Sequence, residues 1–197
     1  MREMDVSQIT QAVAELFLEA NYVIGKDVMD KLEESRDKEA SPLGKMVLDQ
    51  ILENNRIGAE ESLAVCQDTG MSVVFITVGQ DVHLVGGSLE DAVNAGVRKA
   101  YTEGYLRKSI VAEPLFDRKN TGDNTPCVIH TRIVPGDKVH IMAIAKGFGS
   151  ENMSQSKMLT VSDGVEGVKR FVLKAVEEAG PNPCPPLVVG VGIGGSF

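Results

Sequence analysis

Cys66-Gln67-Asp68-Thr69-Gly70-Met71-Ser72-Val73-Val74-Phe75-Ile76-Thr77-Val78 is the stretch at which this sequence changes character. Upstream of it, apolar residues recur three and four apart. Downstream of Gly70, residues 71–78 are a run rich in Val, Ile and Phe, which reads as a buried strand. A helical first third followed by strands interleaved with helices implies an α+β fold. The expected architecture is N-terminal helices packed on a mixed, largely antiparallel β-sheet.

Working outward, the upstream part divides into three helices. Ile9, Val13, Leu16, Phe17 and Ala20 fall on one face behind Asp5, a suitable N-cap, and Gly25 ends that helix. A shorter helix carries Val28 and Leu32, with residues 33–39 expected as a solvated turn or helix end. Ser41-Pro42 starts the third, a capping hydroxyl followed by proline at the first helical position. Its apolar residues are Leu43, Met46, Val47, Leu48, Ile51 and Leu52, and Asn54-Asn55 is expected to close it.

On the other side, Gly79-Gln80-Asp81 turns the chain into a short strand over Val82–Val85. Gly86-Gly87-Ser88 opens a helix with Leu89, Ala92, Val93, Val97, Ala100 and Tyr101 along one face. Gly96 shares that face and would let a neighbour approach closely. Gly104 interrupts the helix, and residues 114–126 are a polar loop. Two strand-like runs, 127–134 and 138–145, flank Pro135-Gly136-Asp137 and predict an antiparallel hairpin. Ser162 or Asp163 is the expected cap of a helix carrying Val165, Val168, Phe171, Val172, Ala175 and Val176, stopped at Gly180-Pro181. Cys184, bracketed by Pro183, Pro185 and Pro186, leads into a further expected strand at 187–191. Two segments are expected, a helical one at 1–65 and an α+β region at 66–197, forming one continuous domain. The ending after a strand and a glycine turn reads as that of a fragment.

Composition excludes some functions. The net charge is -8 and the pI about 4.9, with 20 Lys and Arg against 28 Asp and Glu. Phosphate backbones need a basic stripe, and none is present, so nucleic acid is not an expected partner. The longest apolar runs are strand-sized, too short to span a membrane. The N-terminus lacks an apolar signal core, making a cytoplasmic protein the expectation. Three cysteines without a Cys-x-x-Cys pair fit neither a disulfide framework nor zinc-finger spacing.

Cys66-Gln67-Asp68 puts a thiol, an amide and a carboxylate within three residues of a helix-to-strand turn, where they could serve a metal and a substrate together. The plainer reading is a core cysteine beside a capping aspartate. Prolines around Cys184 make a rigid, non-helical backbone suited to holding a ligand, or simply a strand entrance. Cys127, heading a strand after Pro126, reads as core. Lys146-Gly147-Phe148-Gly149-Ser150-Glu151-Asn152 has the glycines and N–H groups of an anion nest, or of an ordinary turn. Arg107 ends a helix, where a cation also complements the dipole. The glycines at 190–195 have the wrong spacing for a dinucleotide loop.

Taken together, six blocks resemble the class I fumarase and L-tartrate dehydratase α-subunit family. They are Cys66-Gln67-Asp68-Thr69-Gly70, Gly86-Gly87, Tyr105-Leu106-Arg107, residues 120–126 (Asn120-Thr121-Gly122-Asp123-Asn124-Thr125-Pro126), residues 145–152, and Cys184-Pro185-Pro186, in the family's order. The resemblance implies a hydro-lyase with a 4Fe–4S cluster held by three thiolates. Cys66 and Cys184 match two of these, and the third is expected outside this segment. Carried over by position, Gln67 and Asp68 would meet the substrate, with Asp68 in the catalytic set. Arg107 would grip a carboxylate and Gly149 offer its backbone N–H. The substrate implied is a small dicarboxylate: fumarate hydrated to (S)-malate, or L-tartrate in the neighbouring reading. The implied partner is a β subunit or C-terminal domain, in an oligomer; a docking module without catalysis of its own is the alternative of another class. Phe148 departs from the family's more usual glycine.

Overall fold

Asp5 ends a short strand, β1 (Arg2–Asp5), and caps the helix after it, α1 (Val6–Tyr22), its carboxylate accepting the Ser7 N–H at 2.8 Å. This computed structural model describes residues 1–184 and 186–195; Pro185, Ser196 and Phe197 lie outside them. The chain divides into two units, Met1–Lys146 and Gly147–Phe197.

In the first unit α1 is followed by α2 (Lys26–Lys38) and α3 (Pro42–Glu61), then strands β2 (Met71–Gly79) and β3 (Val82–Val85). Helix α4 (Leu89–Glu103) and strands β4 (Val128–Val134) and β5 (Val139–Lys146) complete it. The class is α+β, with a mixed sheet. Residues 33–38 form the C-terminal end of α2, the helix-end reading of the two, supported by Glu34 paired with both Lys31 and Lys38. Helix α3 likewise runs past Asn54-Asn55. Both side-chain amides are engaged away from their own backbone, Asn54 Nδ2 on the Val65 carbonyl at 2.8 Å and Asn55 Nδ2 on the Met29 sulfur at 3.5 Å.

The expected hairpin does not form. β2 lies between β4 and β5, parallel to the first and antiparallel to the second, in the order β4-β2-β5. The reason is burial: Ser72, Val74 and Ile76 of β2 are sealed from water, which suits a central strand. The connection after β4 therefore arches over the end of β2. Gly79 N–H reaches the Lys138 carbonyl at 2.8 Å and Gln80 N–H the Val134 carbonyl at 2.8 Å. A Cβ on Gly79 would lie 2.3 Å from the Gly136 oxygen, so the arch requires glycine there. A separate parallel pair joins β1 to β3.

Ile9, Val13, Ala14 and Phe17 of α1 pack with Val93, Val97, Ala100 and Tyr101 of α4 over Val74 and Ile76 of the sheet. Each such side chain contributes about 1.5–3 kcal/mol on leaving water. Gly96 does what its position on the helix face implied: a Cβ there would stand 2.6 Å from the Thr10 carbonyl.

The second unit holds a four-residue helix, α5 (Phe148–Glu151), a 3-10 turn (Val161–Asp163) and α6 (Gly164–Ala179). Thr160 and Asp163 form the start, the Asp163 carboxylate accepting from the Thr160 N–H at 2.7 Å. α6 stops at Gly180, whose φ of 54° is left-handed. The strand expected at 187–191 is not formed. Among the described residues that segment has no strand to pair with, and Val188 and Val191 are exposed. Among the described residues no helix is long and apolar enough to cross a membrane.

Candidate functional site

Val65 fixes where Cys66 stands. Its N–H donates to the Asn21 carbonyl at the end of α1 (3.0 Å), and its carbonyl accepts the Asn54 side chain of α3 (2.8 Å). A Cβ on Gly58 would fall 2.6 Å from Val65 Cγ1, so α3 passes directly over it. Two helices thus clamp the residue before the cysteine.

The far end of the loop is clamped as firmly. Thr69 and Gly70 are buried. The Tyr101 hydroxyl, at the base of α4, donates to the Thr69 carbonyl at 2.7 Å and lies 3.4 Å from that of Gly70. Burial pushes this phenol above the ordinary tyrosine range, so it stays a neutral donor. Between the clamps Cys66 and Gln67 are exposed and Asp68 is half-buried. The tip folds back on itself: the Asp68 N–H donates to Cys66 Sγ at 3.4 Å, and Asp68 Oδ1 accepts the Gly70 N–H at 3.2 Å.

Arg107 is brought to the same loop by its backbone. Thr69 Oγ1 donates to the Arg107 carbonyl at 3.1 Å. Leu106 is buried in the core while Arg107 is exposed, so the guanidinium is left on the solvent side. Asn124 makes a further tie. Its Nδ2 donates to the Gly70 carbonyl at 3.2 Å, and its Oδ1 accepts the Ser109 N–H at 2.8 Å. Beside it, burial would raise Asp123, but hydrogen bonds from Thr125 and Arg98 outweigh this and hold its carboxyl at about 2.

Cys66, Gln67, Asp68 and Arg107 therefore belong to one loop cluster of the first unit. Cys184 and Gly149 lie together in the second. Cys184 is exposed and left-handed (φ 58°), its N–H donating to the Pro181 carbonyl at 3.2 Å. Gly149 lies in the first turn of α5, where backbone N–H groups have no carbonyl within the helix. A Cβ there would be 3.1 Å from the Asn182 carbonyl, so the missing side chain lets the turn before Cys184 approach. Pro183 and Pro186 flank Cys184 as read; Pro185 lies outside the described residues.

The thiols sort themselves by burial. Cys127 is half-buried, with its Sγ against the Ser72 carbonyl (3.3 Å), and burial pushes it up to about 12. It is a neutral core thiol. Cys66 and Cys184 are exposed, each on a turn fixed by local hydrogen bonds, and the sulfur of Cys66 accepts an N–H as metal-bound thiolates do. Among the described residues no three of His, Cys, Asp and Glu cluster as a metal cage. Two exposed thiols on fixed turns, one in each unit, are donors of the kind a thiolate-held group requires.

Sequence reading missed the buried polar girders. Tyr101 read as one more apolar face position, yet its hydroxyl holds Thr69. Asn124 sat in a loop read as polar and as one of the family blocks, with no role of its own, and Asn94, which accepts the Cys127 N–H at 2.8 Å, was not singled out. The one signal available was the Tyr101 hydroxyl on an otherwise apolar helix face.

Residues 10–197 match the fumarate hydratase (fumerase) family. The chain is 42% identical over 194 residues to a putative L(+)-tartrate dehydratase subunit alpha of Methanocaldococcus jannaschii, covering 96% of this chain and 68% of that one. It is 33% identical over 196 residues to the L(+)-tartrate dehydratase subunit alpha of Escherichia coli strain UTI89, covering 98% and 64%. The corresponding subunit of Shigella sonnei gives the same identity and coverage. The chain spans about two thirds of the length of these relatives. With the match spanning residues 10–197 and identities of 33–42% over nearly the whole chain, the chain belongs to the fumarate hydratase (fumerase) family.

Proposed function

We propose that this chain supplies one wall of the active site of a hydro-lyase that adds water to, or removes it from, a small dicarboxylate, with fumarate and (S)-malate as the first substrates to test. The observation that carries this reading is the Cys66-Gln67-Asp68 tip, exposed at Cys66 and Gln67, clamped at both ends and tied to Arg107 through Thr69.

Arg107 presents a planar guanidinium that takes a carboxylate through two parallel, charge-assisted hydrogen bonds. Gln67 offers an amide that both donates and accepts, which orients the substrate about that anchor. Asp68 is the carboxylate of the tip and the group there that can hold or hand over a proton. Its Oδ1 already accepts the Gly70 N–H, which fixes the carboxylate's direction. Gly149 offers a backbone N–H to an anionic oxygen. Cys66 and Cys184 are the two thiolates this chain would give to a 4Fe–4S cluster, the third coming from outside these residues. That cluster, when bound, supplies an iron that acts as a Lewis acid on the substrate hydroxyl. A base for the neighbouring carbon and further cationic groups belong to a β subunit or C-terminal domain, in an oligomer kept in a reducing, cytoplasmic environment.

L-tartrate is the second substrate to test, favoured by the names of the relatives, each a tartrate dehydratase subunit alpha. The experiment is anaerobic assembly of this chain with its completing polypeptide, then assay of fumarate, malate and L-tartrate. Turnover of one of these, lost in Cys66→Ser and Arg107→Ala, is the expected result. A complete assembly that binds iron and sulfide yet turns over none of the three overturns the reading.

A further inference from the structure

Asn124 is fully enclosed, with no exposed surface, while every other residue of its loop is open or half-open to water. Its backbone is left-handed, φ 62°, a conformation that Asn tolerates better than any residue except Gly. Both ends of its amide are used. Nδ2 donates to the Gly70 carbonyl (3.2 Å) and Oδ1 accepts the Ser109 N–H (2.8 Å). One side chain therefore spans three separate segments: its own loop at 120–126, the end of the Cys66–Gly70 loop, and the segment two residues beyond Arg107.

The loop that delivers Asn124 is itself fixed. Asn120 Nδ2 donates to the Lys108 carbonyl (2.9 Å), and the Thr121 N–H to the Ile110 carbonyl (2.9 Å). Asp123 Oδ1 accepts the Thr125 N–H (3.0 Å), and Asp123 Oδ2 the Arg98 side chain (2.7 Å). None of these bonds reaches the Cys66 loop. Asn124 is the residue through which the 120–126 loop and the 107–110 segment are locked to Gly70.

We propose that Asn124 is a positioning residue of the active site, the amide cross-link that sets the separation between the Gln67-Asp68 tip and Arg107. This rests on the reading that those residues hold a dicarboxylate. A substrate carboxylate held by Arg107 and a carbon centre read at Asp68 need a fixed span, and a shift of about 1 Å at such a site costs rate steeply. The Thr69 hydroxyl and Asn124 act as two struts on one joint, so removing either leaves the loop folded but looser. Asn is required in place of Asp or Gly because one end must donate, the other accept, and the backbone must remain left-handed.

The test uses the complete assembled enzyme and two variants. Asn124→Gly keeps the left-handed backbone and removes both bonds. Asn124→Asp keeps the acceptor for Ser109 and sets a carboxylate oxygen against the Gly70 carbonyl. The expected result is a KM for the dicarboxylate raised about tenfold or more in both, with the iron content unchanged. A second readout is independent of turnover: hydrogen exchange at the Asp68 and Gly70 amides, whose acceptors are Cys66 Sγ and Asp68 Oδ1 and not Asn124, speeds about tenfold or more. If wild-type enzyme turns over no dicarboxylate, the substrate reading fails, and faster exchange in the variants still upholds the cross-link. Unchanged exchange at Asp68 and Gly70 in a folded Asn124→Gly overturns the proposal, as does an unchanged KM in an active enzyme.

Discussion

Thr69 donates its hydroxyl to the Arg107 carbonyl at 3.1 Å, joining residues 38 apart in the chain. The bond runs from a threonine side chain to a backbone atom, so it constrains where Arg107 begins without occupying its guanidinium. It also makes the tip of the Cys66 loop and the Arg107 segment move together. Thr69→Val keeps the shape and removes the donor, leaving a carbonyl short of its partner. The expected loss is about 1–2 kcal/mol of folding stability, read as a lower urea midpoint at unchanged m-value. Thr69→Ser should recover most of it. In the complete enzyme the valine variant should raise KM for the diacid more than it lowers kcat.

The three cysteines should differ sharply towards alkylating reagents. With Cys127 raised to about 12 by burial, its thiolate at pH 8 is about one part in ten thousand. Cys66 and Cys184 are exposed. Iodoacetamide on the folded apo chain at pH 8, followed by peptide mass mapping, should mark Cys66 and Cys184 and leave Cys127 unmodified until urea is added. Labelling of Cys127 at a rate matching Cys66 would remove the basis for treating it as core.

What the sequence revealed and what it hid follow from the range of the interactions involved. Asp5 and Ser41 were legible as helix caps, and Gly96 as a close contact, because each acts within a few residues or through one missing side chain. The β4-β2-β5 order was not legible. Pro135-Gly136-Asp137 looks like a hairpin turn, and nothing local says that β2, more than fifty residues earlier, will occupy the gap. The burial of Ser72, Val74 and Ile76 decides that, and burial is a property of the assembled sheet. At the site, Cys66, Gln67, Asp68 and Arg107 came from the ordered family blocks. The roles of Tyr101 and Asn124 stayed hidden because a buried hydroxyl or amide declares itself only when its distant partner is known.

Asp123 makes the chain acid-sensitive in a defined window. Its folded carboxyl is held at about 2 by Thr125 and Arg98, against an unfolded value of about 3.9. A depressed carboxylate contributes stability that is present above the unfolded value and lost as pH falls through the folded one. The contribution should be full above about pH 5 and fade between about 4 and 2. Discounted for the partial exposure of the pair, its size is about 1–2 kcal/mol. Urea midpoints across pH 2 to 6, compared between wild type and Asp123→Asn, should show a shallower acid slope in the variant. Parallel slopes would mean that another carboxylate dominates.

Gly96→Ala tests the packing that carries the whole cluster. In an exposed helix interior this change stabilises by about 1 kcal/mol, since alanine is the better helix former. Here the new Cβ would stand 2.6 Å from the Thr10 carbonyl and 2.8 Å from Val13 Cβ, so α1 must retreat from α4. Overpacking of this kind costs about 1–3 kcal/mol and reverses the sign. The retreat has a second consequence, because α4 also carries Tyr101, which holds Thr69 at 2.7 Å. Gly96→Ala should therefore lower the urea midpoint and speed hydrogen exchange at Gly70 together. Gly190→Ala, where a Cβ meets nothing within 4 Å, is the control and should stay within about 0.5 kcal/mol of wild type. A Gly96→Ala protein more stable than wild type would mean that α1 and α4 do not meet at this glycine.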